Sequence, residues 1–82
     1  MQLDSRCISL LNHLIKQEDA VNVQALARFF NVSVRSIYYD LSKINDWLKI
    51  QALPQINIER NKGVYLTKSQ INEILDVLKT ED

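Results

Sequence analysis

The 82-residue chain has one glycine, one proline, one cysteine and one histidine, and each scarcity excludes something. A single glycine, Gly63, cannot build a glycine-rich phosphate loop. A single cysteine, Cys7, cannot close an internal disulfide, and no second histidine, cysteine or carboxylate stands at metal-ligand spacing from His13. No apolar run approaches the roughly 18 residues that a membrane span needs, and no stretch reads as a signal peptide. No carboxylate pair and no nucleophile with a partner base stands out. The expectation is a soluble, cytoplasmic, non-enzymatic protein with no metal, no other cofactor and no membrane partner.

The 46% hydrophobic content, with so little glycine and proline, argues against disorder. One small, mostly helical domain over residues 1–82 is expected, burying about two-thirds of its unfolded surface. Net charge is zero, which taken alone speaks against nucleic acid. Its distribution does not. Residues 28–50 carry Arg28, Arg35, Lys43 and Lys49 against Asp40 and Asp46, and residues 51–68 carry Arg60, Lys62 and Lys68 against Glu59. Both ends are acidic, the last stretch through Glu73, Asp76, Glu81 and Asp82 against Lys79. Such polarity can steer a surface toward phosphate while leaving non-specific affinity modest.

Apolar spacing defines the elements. Residues 4–17 predict a first helix capped by Asp4 or Ser5, with Cys7 or Ile8, Leu11, Leu14 and Ile15 inward. Val23, Leu26, Ala27 and Phe30 predict a second. Asn31 tolerates the left-handed backbone that ends a helix, and Ser33 is a natural N-cap for the next. That third helix runs to about Ile50, burying Ile37, Leu41, Ile44 and Leu48, with Trp47 packing near its end. Leu53-Pro54 stops it, because a residue before proline is pushed out of helical geometry. Residues 55–67 read as a hairpin. Ile56 and Ile58 alternate with polar residues, Val64 to Leu66 favour extended backbone, and Asn61-Lys62-Gly63 supplies positive φ for the turn. Thr67 and Gln70 have capping-box spacing, Ser69 is a second candidate cap, and a last helix places Ile71, Ile74, Leu75 and Leu78 inward. Val77 is left as a spare apolar residue. The order is that of a winged helix-turn-helix: mainly α, a three-helix core, a two-stranded wing and a C-terminal helix.

Residues 26–41 read apolar-Ala-x-x-apolar-Asn-Val-Ser-x-Arg-Ser-Ile-x-x-Asp-Leu, followed by Ile44-Asn45-x-Trp47-Leu48 and then by Arg60-Asn61-Lys62-Gly63-Val64-Tyr65-Leu66. Together these resemble the N-terminal winged helix-turn-helix domains of bacterial transcriptional regulators that respond to the sugar phosphotransferase system, the mannitol-operon activators and related virulence-type activators. The resemblance implies sequence-specific binding of double-stranded DNA and control of carbohydrate uptake or metabolism genes. It also implies that the chain is the N-terminal part of a longer, homodimeric regulator with downstream regulatory domains.

The candidate DNA-binding residues lie on the third helix, over about 33–50, and on the wing, over about 56–67. Arg35 stands in the first turn of the helix that would enter the major groove, where a guanidinium can bind guanine O6 and N7 together. Val34 offers apolar contact to a thymine methyl or packs inward. Ser33 and Ser36 suit phosphates, with capping the main duty of Ser33. Tyr38 and Tyr39 point about a hundred degrees apart, so one is expected to pack at the edge and the other, Tyr38, to face DNA. Lys43 is a phosphate candidate. Asp40 is awkward on such a face and is expected to pair with a cation or point aside. Arg60, Asn61 and Lys62 at the wing tip suit the backbone. His13 reads as structural and Cys7 as core. The rival class is a winged helix used as a protein-interaction module, favoured by exposed apolar surface on the same face. An RNA-binding antiterminator is a third reading, weakened by the helix-turn-helix itself.

Overall fold

Asp4 starts the fold by accepting a hydrogen bond from the Cys7 amide at 2.9 Å, and α1 follows over Ser5–Lys16. The computed structural model describes residues 3–80, so Glu81 and Asp82 of the acidic end lie outside the described residues. Asn22 caps α2 (Val23–Phe30), its side chain accepting from the Gln24 amide at 2.7 Å. Asn31 ends that helix at φ 56°, ψ 47°. There the Asn31 amide reaches the Arg28 carbonyl and the Val32 amide the Ala27 carbonyl, the paired closure of a left-handed C-terminus. Ser33 then caps α3 (Val34–Ile50).

The core is built from three helices at helical spacing. Leu10 and Leu14 of α1, Leu26 of α2, and Ile37, Leu41, Ile44 and Leu48 of α3 are all buried. Trp47 is buried beside them. α3 ends on Ala52 at φ 58°, with the Ala52 amide on the Lys49 carbonyl and the Leu53 amide on the Leu48 carbonyl. The stop is therefore a left-handed closure one residue ahead of Leu53-Pro54, made by an alanine where glycine is the common choice.

β1 (Asn57–Glu59) and β2 (Gly63–Tyr65) pair antiparallel, with Ile58 opposite Val64. Val64 also exchanges both backbone hydrogen bonds with Val21, at 2.8 and 2.9 Å, so β2 is paired on both edges. α4 (Lys68–Thr80) begins in a reciprocal capping box. The Gln70 amide donates to Thr67 Oγ1 at 3.2 Å, and the Thr67 amide donates to Gln70 Oε1 at 2.8 Å. Among the described residues, four helices and a two-stranded hairpin in this order make a winged helix-turn-helix.

Four details differ from the pattern reading. On α1 Leu10 joins Cys7, Leu11 and Leu14 inward, and of the two alternatives Cys7 is buried while Ile8 is 48% exposed, because the helix turns Ile8 about a hundred degrees from Cys7. In the hairpin Ile56 and Val64 are buried and Ile58, opposite Val64, is 44% exposed, since β1 is the outer strand while β2 is paired on both edges. At its turn the positive φ belongs to Gly63 at 109°, and Asn61 has none. On α4 Ile74 is fully buried and Ile71, Val77 and Leu78 pack against the core, whereas Leu75 is outside that cluster. Val77 is thus a core-facing residue and not a spare one.

Candidate nucleic-acid interface

The interface begins with the N-cap of α3. Ser33 Oγ accepts from the Ser36 amide at 3.1 Å and donates to Ser36 Oγ at 3.0 Å, so the two serines satisfy each other at the helix start. This fixes the direction of the first turn and places Arg35 outward. Arg35 is exposed and has no hydrogen bond or ion pair among the described residues. Val34 is half-buried, packed against the core on one side and open on the other.

Tyr38 and Tyr39 are both outside, at 50% and 64% exposure, which corrects the expectation that one packs at the edge. Ile37 and Asp40 on either side of them occupy the buried stripe, and a helix cannot turn a third adjacent position inward. Tyr38 faces the wing across an open groove of about 290 Å³, with Val34 beside it and Ile58, Arg60 and Lys62 on the far wall. Tyr39 leans the other way, beneath the Lys43 ammonium at 5.6 Å from its ring centroid.

Lys43 is already engaged. Its Nζ donates to Asp4 Oδ2 at 2.6 Å, a contact that raises the lysine pKa and, with the Cys7 amide, holds the Asp4 carboxyl well below the usual carboxylate range. Asp40 is turned inward, where Arg6 Nε donates to Oδ2 at 2.5 Å and an Arg6 terminal nitrogen to Oδ1 at 3.2 Å. The fork leaves Asp40 1% exposed and raises the Arg6 pKa, and it removes a carboxylate from the outward face. Cys7 lies beside this pair, and burial followed by its hydrogen bond to Asp4 pushes the thiol up to about 12, the state of an inert core residue.

At the wing, Arg60, Asn61 and Lys62 form the exposed tip between paired Glu59 and Gly63. Gly63 is required twice over. Its φ is positive, and a Cβ there would stand 2.6 Å from the Val21 carbonyl oxygen. Lys62 Nζ lies 4.8 Å above the Tyr65 ring, and the Tyr65 hydroxyl donates to Glu59 Oε2 at 2.6 Å, which raises the tyrosine pKa. The one acid of the wing is thereby occupied within it. Arg60 has no ion pair among the described residues.

The groove also draws in residues that pattern reading passed over. Asn22 and Gln24 at the start of α2 line it, and so does Ile58. The sequence signal for the first two was the Asn cap itself, since a capped helix start presents free amides to whatever lies in front of it. His13 lies 4.6 Å from Phe29 with the rings tilted and 5.9 Å from Phe30 edge-on, an aromatic cluster joining α1 to α2 outside the groove lining. Among the described residues no group of three or more His, Cys, Asp or Glu is placed to hold a metal ion, and no helix is long and apolar enough to cross a membrane.

A family model described as an HTH domain matches residues 6–65, from α1 through the second strand of the wing. No curated protein and no solved structure matches the chain.

Proposed function

The chain belongs to the helix-turn-helix domain family, and from that premise we propose that it is a sequence-specific double-stranded DNA-binding domain of a bacterial transcriptional regulator. α3 enters the major groove with Arg35 on base edges, and Val34, Ser36, Tyr38 and Tyr39 add contacts around it. The wing tip, Arg60 to Lys62, lies on the backbone, and Ser33 is reserved for its cap. One observation supports this most: Arg35 and Arg60 have no internal partner among the described residues and Lys62 is only ring-stacked, and the wing tip lines an open groove whose other wall carries Val34 and Tyr38 from the same end of α3 as Arg35. Lys43, held by Asp4, is the weakest member of the set.

The wider reading rests on the resemblance of residues 26–48 and 60–66. It makes the chain the N-terminal domain of a longer cytoplasmic regulator of carbohydrate genes, dimeric through downstream domains and read on two half-sites. A single module of this size buries only about 600–1,000 Å² on DNA, so a dimer gains through effective concentration. Selection of bound fragments from random DNA by the purified chain, followed by sequencing, tests the core of the proposal. An enriched motif supports it; indiscriminate binding removes the specificity.

A protein-interaction role is the second reading, because Tyr38 and Ile58 expose apolar surface along the groove and Tyr39 exposes more beside it. Failure to bind any duplex at low salt, where phosphate contacts are strongest, would favour it.

A further inference from the structure

We infer that Gln70 is the positioning residue that holds the wing in place beside the recognition helix. Its effect on binding rests on the DNA-binding reading above; its effect on the wing does not.

The Gln70 carboxamide reaches three segments. Oε1 accepts from the Thr67 amide at 2.8 Å and from Asn57 Nδ2 at 2.6 Å, and Nε2 donates to the Gln55 carbonyl at 2.7 Å. Asn57 Nδ2 also donates to the Tyr65 carbonyl at 3.3 Å, across the strand pair. The orientation of the amide is set by chemistry, because a backbone N–H can only donate and a carbonyl can only accept. One side chain of α4 therefore grips Gln55 ahead of β1, Asn57 in β1 and Thr67, the second residue beyond β2 and the cap of α4.

The wing needs such a clamp. Its strands have three residues each, and an isolated two-stranded hairpin is marginal in water. Its outer strand and tip stand clear of the core: Val64 in β2 is fully buried, while Ile58 opposite it is exposed and so are residues 59–62. Its direction must then be set at its roots. Besides the packing of Ile56, Val64 and Leu66, hydrogen bonds act there among the described residues: the Val21–Val64 bridge, the bond from the Ile56 amide to Asn45 Oδ1 at 2.8 Å, and those of Gln70. The first holds β2 and the second the chain entering β1. Gln70 holds β1 directly and β2 through Asn57, whose amide also reaches the Tyr65 carbonyl, so a small rotation at this point is carried to Arg60 and Lys62.

Hydrogen exchange of the 82-residue chain tests this directly. Gln70→Met removes all of these contacts at similar volume. Gln70→Glu keeps both acceptor bonds, loses the donation to Gln55 and sets a carboxylate oxygen against that carbonyl. Thr67→Val removes the hydroxyl of the α4 cap and leaves the grip of Gln70 on the hairpin. Exchange of the β1 and β2 amides should be on the order of tenfold faster in Gln70→Met, intermediate in Gln70→Glu and near wild type in Thr67→Val, with α1 to α3 unchanged. Wild-type exchange in the hairpin of Gln70→Met, or equal acceleration in Thr67→Val, would overturn the inference. On duplex DNA, Gln70→Met should weaken binding several-fold in the wild-type background and little when Arg60 and Lys62 are already alanine. Fully additive losses would end the claim that Gln70 acts through the wing. A wild-type chain that binds no DNA, with the exchange pattern intact, would instead sink the proposed function and leave the placement of the wing standing.

Discussion

Arg6 and Asp40 join α1 to the recognition helix through two parallel hydrogen bonds, Nε to Oδ2 and a terminal nitrogen to Oδ1. The relationship does two things at once. It fixes the rotation of α3 against α1, and it turns the only acid in the first two turns of α3 away from the face that carries Arg35.

Asp40 is buried, so its oxygens depend on these donors. Asp40→Asn should destabilise the domain by about 1–3 kcal/mol, the range for a buried hydrogen bond to a charged group. Arg6→Met should be the more damaging change, since it leaves a buried carboxylate without its cation. Urea titration of the three proteins gives the order, and a milder Arg6→Met would show that Asp40 finds another partner.

Acid should act through Asp4. Its carboxyl is held below its ordinary 3.8 by Lys43 first and by the Cys7 amide second. A carboxyl depressed in the folded state adds stability above its unfolded pKa and loses it as pH falls through the folded one. Asp4→Asn retains a capping side chain but not the ion pair. It should be less stable than wild type near neutrality, with the gap closing as the pH drops below about 4. Thermal melts across that range measure the gap, and a constant difference would assign the loss to the cap alone.

Backbone strain separates Gly63 from Ala52. Gly63→Ala meets the Val21 carbonyl and an unfavourable φ together, so it should cost more than about 1–2 kcal/mol and loosen the Val21–Val64 bridge. Ala52 is already left-handed, at φ 58°. Ala52→Gly relieves that strain at some cost in unfolded-chain entropy, a net gain of up to about 1 kcal/mol. Denaturation midpoints should move in opposite directions for the two changes.

Much of this was legible in the chain because it is local. Asn31 and Ser33 announce the corner between α2 and α3, Thr67 and Gln70 the start of α4, and the spacing of Ile37, Leu41, Ile44 and Leu48 the buried stripe. The pairing of Val21 with Val64, the inward fork from Arg6 to Asp40 and the capture of Lys43 by Asp4 were not, since each joins residues far apart in sequence. Tyr38 and Tyr39 mark the limit of the periodicity argument. Spacing showed that both could not face the core, and only the positions of Ile37 and Asp40 show that neither does. The proposed DNA contacts involve a partner and so are not legible in the chain alone.

Arg35 is the sharpest of those contacts. It is exposed at the first turn of α3 with no internal partner among the described residues. Arg35→Ala should cost about 1–3 kcal/mol on the selected site and relax preference at one base position. Fluorescence titrations on the selected site and on a scrambled duplex separate the cases. Equal losses on both would make Arg35 a phosphate contact.

The wing makes the opposite prediction, a loss without change of preference. Arg60 is unpaired among the described residues, and Lys62 rests its ammonium on the Tyr65 ring, an arrangement that still leaves donors free for a phosphate oxygen. Glu59, the acid nearest to both, is bonded to the Tyr65 hydroxyl and so is turned into the hairpin. If the tip neutralises phosphates, each alanine substitution should reduce the slope of log affinity against log salt by about one unit. Arg60→Ala and Lys62→Ala together should therefore reduce it by about two and weaken cognate and scrambled duplexes in parallel. Titrations at several salt concentrations measure the slope. A slope that stays at the wild-type value would mean that the tip does not touch the backbone, and Gly63 and its neighbours would then serve only to close the hairpin.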